Sequence, residues 1–348
     1  MQFLIINFKS KIMQNTFSHF AGIDVSKHKL DVCLLHQDQR TSVHSIFSNT
    51  REGFSKLSKW IASQAISKEQ VLFCLEHTGI YTMPLCLFLS KYSFSFSIVP
   101  ALEVKRSIGV KRGKSDKVDA KAIAMYALLR KDIIELYHLP DRKLLKLKHL
   151  LTHRTLLVKL HTALQLSVKE REDFLEKEVL TITTRQSEEL LKSIERKIKK
   201  TEDQILSLIK EDEQMKELYT LLLSIPGVGP ITAVQLLVHT RLFTLFENAR
   251  KFACYSGVAP FEHSSGKSLK TTPRVSHLAN KKMKTLLNMA VLTSLKKDSQ
   301  LKAYYERKLS EGKNKMLIIN NLRNKLIQRI FATIKRKTPY VLTMQYAA

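Results

Sequence analysis

Hydrophobic and polar positions follow three different patterns along the chain, and the first of them predicts alternating strands and helices. Up to about residue 139, short apolar runs are separated by turn residues. The predicted strands cover residues 20–25, 30–35, 43–47, 71–75 and 95–99. Apolar residues at helical spacing predict helices over 53–65 and 116–129. This mixture predicts an α/β domain with a largely buried sheet.

The middle of the chain predicts long helices, because it contains no glycine and no proline from Asp141 to Tyr219. Its second half has a seven-residue repeat, interrupted at Thr201 and Asp212. One repeat position holds Leu191, Ile198 and Ile205, and the other holds Ile194, Leu208 and Met215. The repeat favours an antiparallel helical hairpin or coiled coil. A single long amphipathic helix packed on a neighbouring domain is the alternative.

From about residue 221 the pattern is helical with short loops, and a basic amphipathic helix from about Lys315 to Lys335 closes it. Residues 255–273, rich in Ser, Gly, Lys and Thr, form the exception, which we predict to be a polar loop. We therefore divide the chain into five segments. They are a disordered or dispensable leader (1–19), an α/β domain (20–139), a helical coiled-coil linker (140–219), a mainly α domain (220–337) and a tail (338–348).

The net charge of the chain limits the classes of partner that it is expected to bind. Of 348 residues, 58 are Lys or Arg and 31 are Asp or Glu, which leaves a formal net charge of +27 and a pI near 9.9. This balance favours a polyanionic partner, most simply nucleic acid, over the usual substrates of a metabolic enzyme. A basic protein of the membrane surface is the competing hypothesis. The chain has neither a bilayer-spanning apolar stretch nor a lipidation motif, so no membrane partner is expected.

The four cysteines limit the compartment and the metal chemistry. They are scattered without CxxC pairing, at positions 33, 74, 86 and 254. That spacing argues against a zinc site and against a disulfide scaffold, and it fits a reducing cytoplasm. With a nucleic-acid partner, the expected location is the cytoplasm, in association with the nucleoid.

Four carboxylates stand at the ends of predicted elements. Asp24 lies in an apolar strand, where an uncompensated charge is costly, and Glu76 directly follows another apolar run. Asp116 and Asp119 share one face at a predicted helix start. Each has an ordinary explanation by itself, such as a favourable charge at a helix N-terminus. The cations around Asp116 and Asp119 favour a functional explanation of the carboxylates over an ordinary one. These cations include Lys111, Arg112, Lys114 and Lys117. Cations that hold a phosphate backbone beside carboxylates that hold Mg²⁺ are typical of phosphodiester chemistry.

Two further motifs lie in the last third. Ser224–Ala233 (SIPGVGPITA) fits a helix-hairpin-helix, in which Gly227 and Gly229 permit a tight turn and the next helix start attracts phosphate. Two ordinary helices joined at glycines explain the residues equally well, and the net charge favours a contact with the nucleic-acid backbone.

Ser264 and Ser265 stand before a glycine. By themselves they indicate a turn, because a serine hydroxyl needs activation to act as a nucleophile.

The runs GIDVSKHKLDVCLL, LEHTGIY and KRGKSDKVDAKAIA occur in this order and resemble the N-terminal domain of DEDD transposases of the insertion-sequence-110 family. The resemblance implies an α/β ribonuclease-H-like fold, similar to that of the Holliday-junction resolvase RuvC. It also implies that Asp24, Glu76, Asp116 and Asp119 form a catalytic set that binds Mg²⁺.

The stretch SIPGVGP … YSGVAPFEHSSGK … HLANKKMKTLLNMA resembles the same family's C-terminal transposase domain. It implies that Ser265 attacks DNA and forms a phosphoserine-linked intermediate, although Ser264 stays open as the nucleophile. Many relatives have a basic residue and a glycine after the serine loop, where this chain has HLANKK without the glycine. The positive charge is retained there, but the sequence does not determine the shape of the loop. The candidate nucleic-acid contacts in this part are Gly227, Gly229, Lys267, Lys281 and Lys282.

The resemblance implies a transposase or site-specific recombinase that acts on donor and target DNA. It further implies guidance by a structured non-coding (bridge) RNA and assembly as a homodimer or homotetramer. One alternative is a RuvC-type structure-specific nuclease that hydrolyses DNA with the carboxylates alone. Another is a nucleic-acid-binding protein without catalytic activity.

The charge generates a first prediction, on the salt dependence of DNA binding. If the protein contacts about six phosphates, its affinity for duplex DNA falls roughly a thousandfold between about 50 and 200 mM salt. Fluorescence anisotropy with a labelled duplex measures this slope. Binding that is nearly flat over that range would contradict a grip on the nucleic-acid backbone.

Overall fold

The strands of the first part form because each carries a nearly unbroken apolar run. The computed structural model describes residues 17–109, 115–174, 176–265 and 269–342. Its first five strands are β1 (His19–Val25), β2 (Lys29–His36), β3 (Ser42–Ser48), β4 (Val71–Glu76) and β5 (Ser95–Val99). All five predicted strands are present, with ends that differ by at most one residue. The apolar residues of β1, β2 and β4 are almost completely buried.

These strands form one mixed sheet in the order β3-β2-β1-β4-β5. β2 is antiparallel to both β1 and β3. β4 is parallel to both β1 and β5. A mixed five-stranded sheet with helices on its faces fits a ribonuclease-H-like α/β domain, so the α/β prediction for this part is confirmed.

Helices cover both faces of the sheet. They are α1 (Arg51–Ser63), α2 (Met83–Lys91), α3 (Ala101–Ile108) and α4 (Asp116–Leu129), with short 3-10 turns at Lys68–Gln70 and Gly79–Thr82. Phe54 and Leu57 of α1 pack with Leu85 of α2 on one face. Val104 of α3 and Ile123 of α4 pack on the other. The sequence pattern predicted α1 and α4 but not α2 and α3, which are short.

Contacts between residues divide the chain into two units, 1–139 and 140–348. The helices of the second unit are α5 (Arg142–Phe174), α6 (Lys177–Lys210), α7 (Glu213–Leu223), α8 (Pro230–Thr240), α9 (Ala249–Tyr255), α10 (Lys281–Lys297), α11 (Ser299–Ser310) and α12 (Lys315–Arg336). Across the described ranges, no helix is both long enough and apolar enough to cross a membrane.

The two long helices α5 and α6 pack against each other along much of their length. Arg154 Nε lies 2.6 Å from Glu202 Oε1, and His161 Nε2 lies 3.0 Å from Glu195 Oε1. Because the partner's number falls as the residue number rises, the two helices run antiparallel. At their base, Leu147 of α5 packs in one cluster with Met215 of α7 and Val234 of α8. The single-helix alternative is therefore wrong.

The seven-residue repeat describes only part of this packing. Thr201, predicted to interrupt it, is 5% exposed. Leu208, assigned to the repeat, is only half-buried, whereas the adjacent Ile209 is buried. Asp212 accepts a hydrogen bond from the Met215 amide (3.0 Å) and starts α7, so Met215 belongs to a separate helix. The repeat therefore does not run on to Met215 within one helix, whereas Leu208 is half-buried in the same way as Leu191 and Ile198.

The prediction of a polar loop over 255–273 is wrong. Residues Pro260–Ser265 form β6 and residues Leu269–Val275 form β7, paired as an antiparallel hairpin. The register shifts between Phe261 and His263. Only residues 266–268 join the strands, and three-residue connections with a glycine are typical of hairpins. This short connection with a glycine is visible in the sequence, but the polar composition of residues 255–273 favoured a loop.

A second prediction concerns the contact between α4 and β1. A Cβ atom at Gly22 would lie 2.2 Å from the Ala124 amide nitrogen and 2.3 Å from the Ala120 carbonyl oxygen. Because both atoms belong to the backbone, we expect Gly22→Ala to separate the helix from the strand and to destabilise the fold by about 1–3 kcal/mol or more. Thermal unfolding measures the loss.

The matched control is Gly229→Ala, since a Cβ there meets no atom within 4 Å. Its melting temperature should change much less than that of Gly22→Ala. Equal melting temperatures for Gly22→Ala and the unmodified protein would contradict the close contact.

Candidate active site

The alternation of side chains along β1 directs Asp24 toward α4. Successive residues of a strand face opposite sides of the sheet. Phe20 packs with α4 residues such as Ala120, and Gly22 lets the α4 backbone approach. Asp24 continues the same face, half-buried at the carboxyl end of the strand. The glycine two residues before the carboxylate therefore brings the helix to it.

β4 brings Glu76 to the same place. Cys74 packs on the α4 side of the sheet, and Glu76, two residues later, lies on that side as well. β1 and β4 are parallel, and their last paired residues are Ile23 and Leu75. The next residue of each strand is one of the predicted carboxylates. Parallel strands thus end with Asp24 and Glu76 side by side.

The start of α4 supplies the other two carboxylates. The Ser115 hydroxyl accepts a hydrogen bond from the Val118 amide (3.3 Å) and caps the helix. Asp116 and Asp119 both lie in the first turn. The partial positive charge of a helix start favours carboxylates there. Asp116 is exposed, and Asp119 is half-buried.

The four carboxylates act on each other electrostatically. Burial raises the pKa of Asp24, and the charges of Asp116 and Asp119 raise it further. Burial also raises the pKa of Glu76, with a further contribution from Asp24, while Lys105 lowers it. Each ionised group makes ionisation of its neighbours less favourable. The structure therefore brings Asp24, Glu76, Asp116 and Asp119 together in one group.

The sequence analysis missed three residues beside this group. Lys29 Nζ lies 2.6 Å from Asp116 Oδ2 and 3.0 Å from Asp31 Oδ2. Asp31 is 3% exposed, and its Oδ1 lies 3.2 Å from His44 Nε2. The hydrogen bonds to Asp116 and Asp31 raise the pKa of Lys29 to about 12. Asp31 pairs directly with Asp24 across β1 and β2, and it gave the same signal, a carboxylate in an apolar strand.

The chemistry of the group suits a hard divalent cation. Mg²⁺ prefers carboxylate oxygens, and a cation would relieve the repulsion that raises the pKa of Asp24 and Glu76. In the part of the chain that the structure describes, no three His, Cys, Asp or Glu side chains are placed as a set of metal ligands. Asp116 instead contacts the ammonium of Lys29. The donor atoms therefore fit a metal, although the side chains as placed do not form its coordination shell.

In the second unit, the two glycines of the turn between α7 and α8 have different roles. Gly227 has φ +89°, and a Cβ there would lie 2.3 Å from the Ala290 carbonyl oxygen of α10. This glycine is required by backbone conformation and by close packing. Gly229 precedes α8 without a side-chain cap, and a Cβ there would meet no atom within 4 Å. The start of α8 is therefore open on that side.

The serine pair lies at the end of β6. Ser264 pairs with Lys270, and Ser265, the last residue of the strand, pairs with Leu269.

The remaining candidate residues for contact with nucleic acid are divided between described and undescribed positions. Lys117, Lys281 and Lys282 are exposed in the first turns of α4 and α10. Lys111, Arg112, Lys114 and Lys267 lie outside the described residues.

Residues 276–280, which form the turn before α10, contain no glycine. The Ala279 Cβ lies 2.8 Å from the place that a Cβ would take at Gly257. Gly257, with φ +66°, leaves the space that the alanine fills. Asn280 Oδ1 then accepts a hydrogen bond from the Met283 amide (3.0 Å) and starts the helix. The loop shape left open by the sequence is thus a capped turn.

Both units match family models of transposases. Residues 21–170 match a model described as a transposase. Residues 219–306 match the model of the transposase IS116/IS110/IS902 family. The chain belongs to the IS110 family of transposases. It is accordingly an enzyme of the DNA transposase and recombinase class.

Relatives of this transposase extend over nearly its full length. The pilin gene-inverting proteins of Moraxella bovis and Moraxella lacunata are each 28% identical over 326 residues, covering 92% of this chain and 97% of theirs. The insertion element IS110 43.6 kDa protein of Streptomyces coelicolor is 32% identical over 121 residues, covering 34% of this chain and 29% of its own.

Among solved structures, T. thermophilus RuvC in complex with a Holliday junction substrate covers 34% of the transposase and 99% of its own chain. The identity is 9% and the TM-score is 0.26. The assignment of the α/β fold rests on the strand order of the sheet, not on this similarity.

The electrostatics of the carboxylate group generate a third prediction. Because the folded pKa of Asp24 is raised, its ionised form destabilises the fold, and this cost disappears as pH falls below the unfolded pKa near 3.8. We expect Asp24→Asn to raise the melting temperature of the metal-free transposase by roughly 1–3 °C at pH 7. The gain should shrink as the pH falls toward 3.8, where Asp24 becomes protonated in the unfolded chain as well. Differential scanning fluorimetry measures both.

The control is Asp132→Asn, an exposed carboxylate of the same unit, which should leave the melting temperature unchanged. Added MgCl₂ should raise the melting temperature of the unmodified protein, but much less that of Asp24→Asn. A lower melting temperature for metal-free Asp24→Asn at pH 7 would show that the carboxylates do not repel one another.

Proposed function

We propose that this transposase cuts and joins donor and target DNA through a serine nucleophile, with a Mg²⁺ site formed by four carboxylates. The observation that carries the proposal is the coupling of Asp24, Glu76, Asp116 and Asp119 at the ends of β1, β4 and the start of α4. A cluster of acids of which three are half-buried is unfavourable in itself. It is useful where a divalent cation must be held beside a phosphodiester.

In this proposal each group has a distinct task. The four carboxylates hold the metal, which supplies charge stabilisation to the reacting phosphoryl oxygens. The Ser265 hydroxyl loses its proton and attacks the DNA phosphorus, and the bond from that phosphorus to the leaving DNA oxygen breaks. The resulting phosphoserine ester keeps a phosphodiester linkage. Attack by a hydroxyl of another DNA strand then restores the serine and joins the DNA without an external energy source.

The binding of nucleic acid is distributed over both units. A net charge of +27 supports a polyanionic partner. The open start of α8 after Gly229 supports a phosphate contact there, and the exposed Lys117, Lys281 and Lys282 add cations. Guidance by a structured non-coding RNA is part of the proposal because the family resemblance implies it. Assembly as a homodimer or homotetramer rests on the same resemblance and on the long antiparallel pair of α5 and α6.

Inversion of a DNA segment is a second candidate outcome of the same chemistry. The two Moraxella relatives are named pilin gene-inverting proteins, and they align with 92% of this chain. Inversion and transposition differ in how the DNA ends are arranged, and not in the residues that cut and join them. Recombination assays with inverted and with separate DNA ends distinguish the two outcomes.

The fourth prediction tests the serine. Incubation with element ends, Mg²⁺ and co-purified RNA should yield a protein-linked DNA band on a denaturing gel. Ser265→Ala should abolish the band, because no other group carries the phosphoryl bond, and Asp24→Asn should reduce it at least a hundredfold. Ser264→Ala is the matched control and should retain the band.

Each other outcome has a definite meaning. Loss of the adduct in Ser264→Ala, with retention in Ser265→Ala, would move the nucleophile by one residue. Strand cleavage that survives in both serine variants but not in Asp24→Asn would favour the RuvC-type nuclease and overturn the serine proposal.

A further inference from the structure

The second unit buries an arginine whose hydrogen-bond acceptors are neutral amides. Arg323 of α12 is 4% exposed. Its Nη2 donates to Asn288 Oδ1 (2.6 Å) and its Nη1 donates to Asn320 Oδ1 (3.3 Å), so both acceptors are neutral amides. Its Nε is buried without a hydrogen-bond partner. Within the described residues, no acidic side chain forms an ion pair with it.

The same helix carries an arginine that an acid neutralises. Arg329, six residues later and half-buried, forms an ion pair with the buried Asp298, and its Nη2 donates to Gln300 Oε1 (3.2 Å). An anion offsets the cost of removing a cation from water, whereas a buried cation without one carries that cost uncompensated. Arg323 therefore needs an explanation that Arg329 does not.

A second cation stands beside Arg323. Lys284 of α10 is half-buried, and its Cδ lies 3.7 Å from the Cβ position of Gly257. Burial lowers the pKa of Lys284, and the charge of Arg323 lowers it further. Lys284 lies one helical turn before Asn288, which accepts the hydrogen bond from Arg323 Nη2, so the two cations share one side of α10. An anion between two such like charges would stabilise both.

The position of these cations connects them with the serine hairpin. Asn320, which accepts from Arg323, donates through Nδ2 to the Val258 carbonyl oxygen (2.8 Å). Val258 follows Gly257 and precedes β6 by two residues, and β6 ends with Ser264 and Ser265. The cations therefore lie beside the segment that begins the hairpin.

We propose that Arg323 and Lys284 form a phosphate-binding site for a DNA strand beside the serine hairpin. The inference rests on the proposed function, which supplies DNA as the polyanion. Arg323 offers the remaining N–H groups of a planar guanidinium, and Lys284 offers the ammonium of a half-buried side chain. A phosphate bound there would neutralise both charges and hold the strand near the serines.

The fifth prediction uses Lys284→Gln, because Lys284 is only half-buried and its replacement leaves the bonds of Arg323 intact. In anisotropy titrations with a labelled DNA duplex, the slope of log affinity against log salt should become shallower by about 0.9, which corresponds to one phosphate contact. Lys296→Gln, at an exposed lysine on the same helix, is the matched control and should change the slope by less than about 0.3.

Thermal unfolding separates this role from a structural one. Without DNA, Lys284→Gln should melt at a higher temperature than the unmodified protein, because a like charge beside Arg323 is removed. A lysine that only supports the fold would lower the melting temperature when replaced. Inorganic phosphate should raise the melting temperature of the unmodified protein more than that of Lys284→Gln. Arg323→Lys, which keeps a charge but loses the planar fork, should also reduce the phosphate effect; if it does not fold, Lys284→Gln decides alone.

An unchanged salt slope and an unchanged phosphate effect in Lys284→Gln would overturn the site. A shallower slope with an RNA duplex but not with a DNA duplex would overturn the assignment to DNA. The adduct assay on the unmodified protein is separate from these measurements. Its failure would contradict the serine chemistry, while the binding data would still decide the phosphate site.

Discussion

The close contact between α4 and β1 is the constraint on which the acidic site depends. Gly22 has no side chain, and the backbone of α4 at Ala120 and Ala124 occupies the space where a Cβ would lie. Two residues further along β1 is Asp24, and one helical turn before Ala120 is Asp116. The packing distance of one glycine thereby determines whether carboxylates 92 positions apart in the chain act on each other. A larger residue there would separate the halves of the site.

The two units carry clusters of opposite charge. In the first, burial and neighbouring carboxylates raise the pKa of Asp24 and of Glu76, while Lys29 contacts Asp116 and Asp31. In the second, Arg323 is buried beside the half-buried Lys284, and no acidic side chain among the described residues forms an ion pair with Arg323. A folded chain keeps such clusters when a ligand of the opposite charge completes them. A divalent cation suits the first cluster, and a phosphate group suits the second.

Much of the first unit was predictable because its signals are local. Apolar runs gave all five strands, and helical periodicity gave α1 and α4. Asp31 was missed although it too interrupts an apolar strand, because its relation to Asp24 appears only when β1 and β2 are paired. The hairpin of β6 and β7 was missed because polar composition and short strands resemble a loop. The repeat in α6 was extended too far, since Asp212 starts a new helix.

The sequence alone determined the charge of this transposase, the five strands of its first unit, the four candidate carboxylates and the serine pair. These follow from composition, from periodicity and from motifs that occupy a few neighbouring residues. Only the tertiary structure decided which carboxylates lie together, that Lys29 contacts Asp116, and that Arg323 is buried beside Lys284 with neutral hydrogen-bond acceptors. Burial and electrostatic coupling depend on distances between residues remote in the chain, and those distances come from packing rather than from local preference.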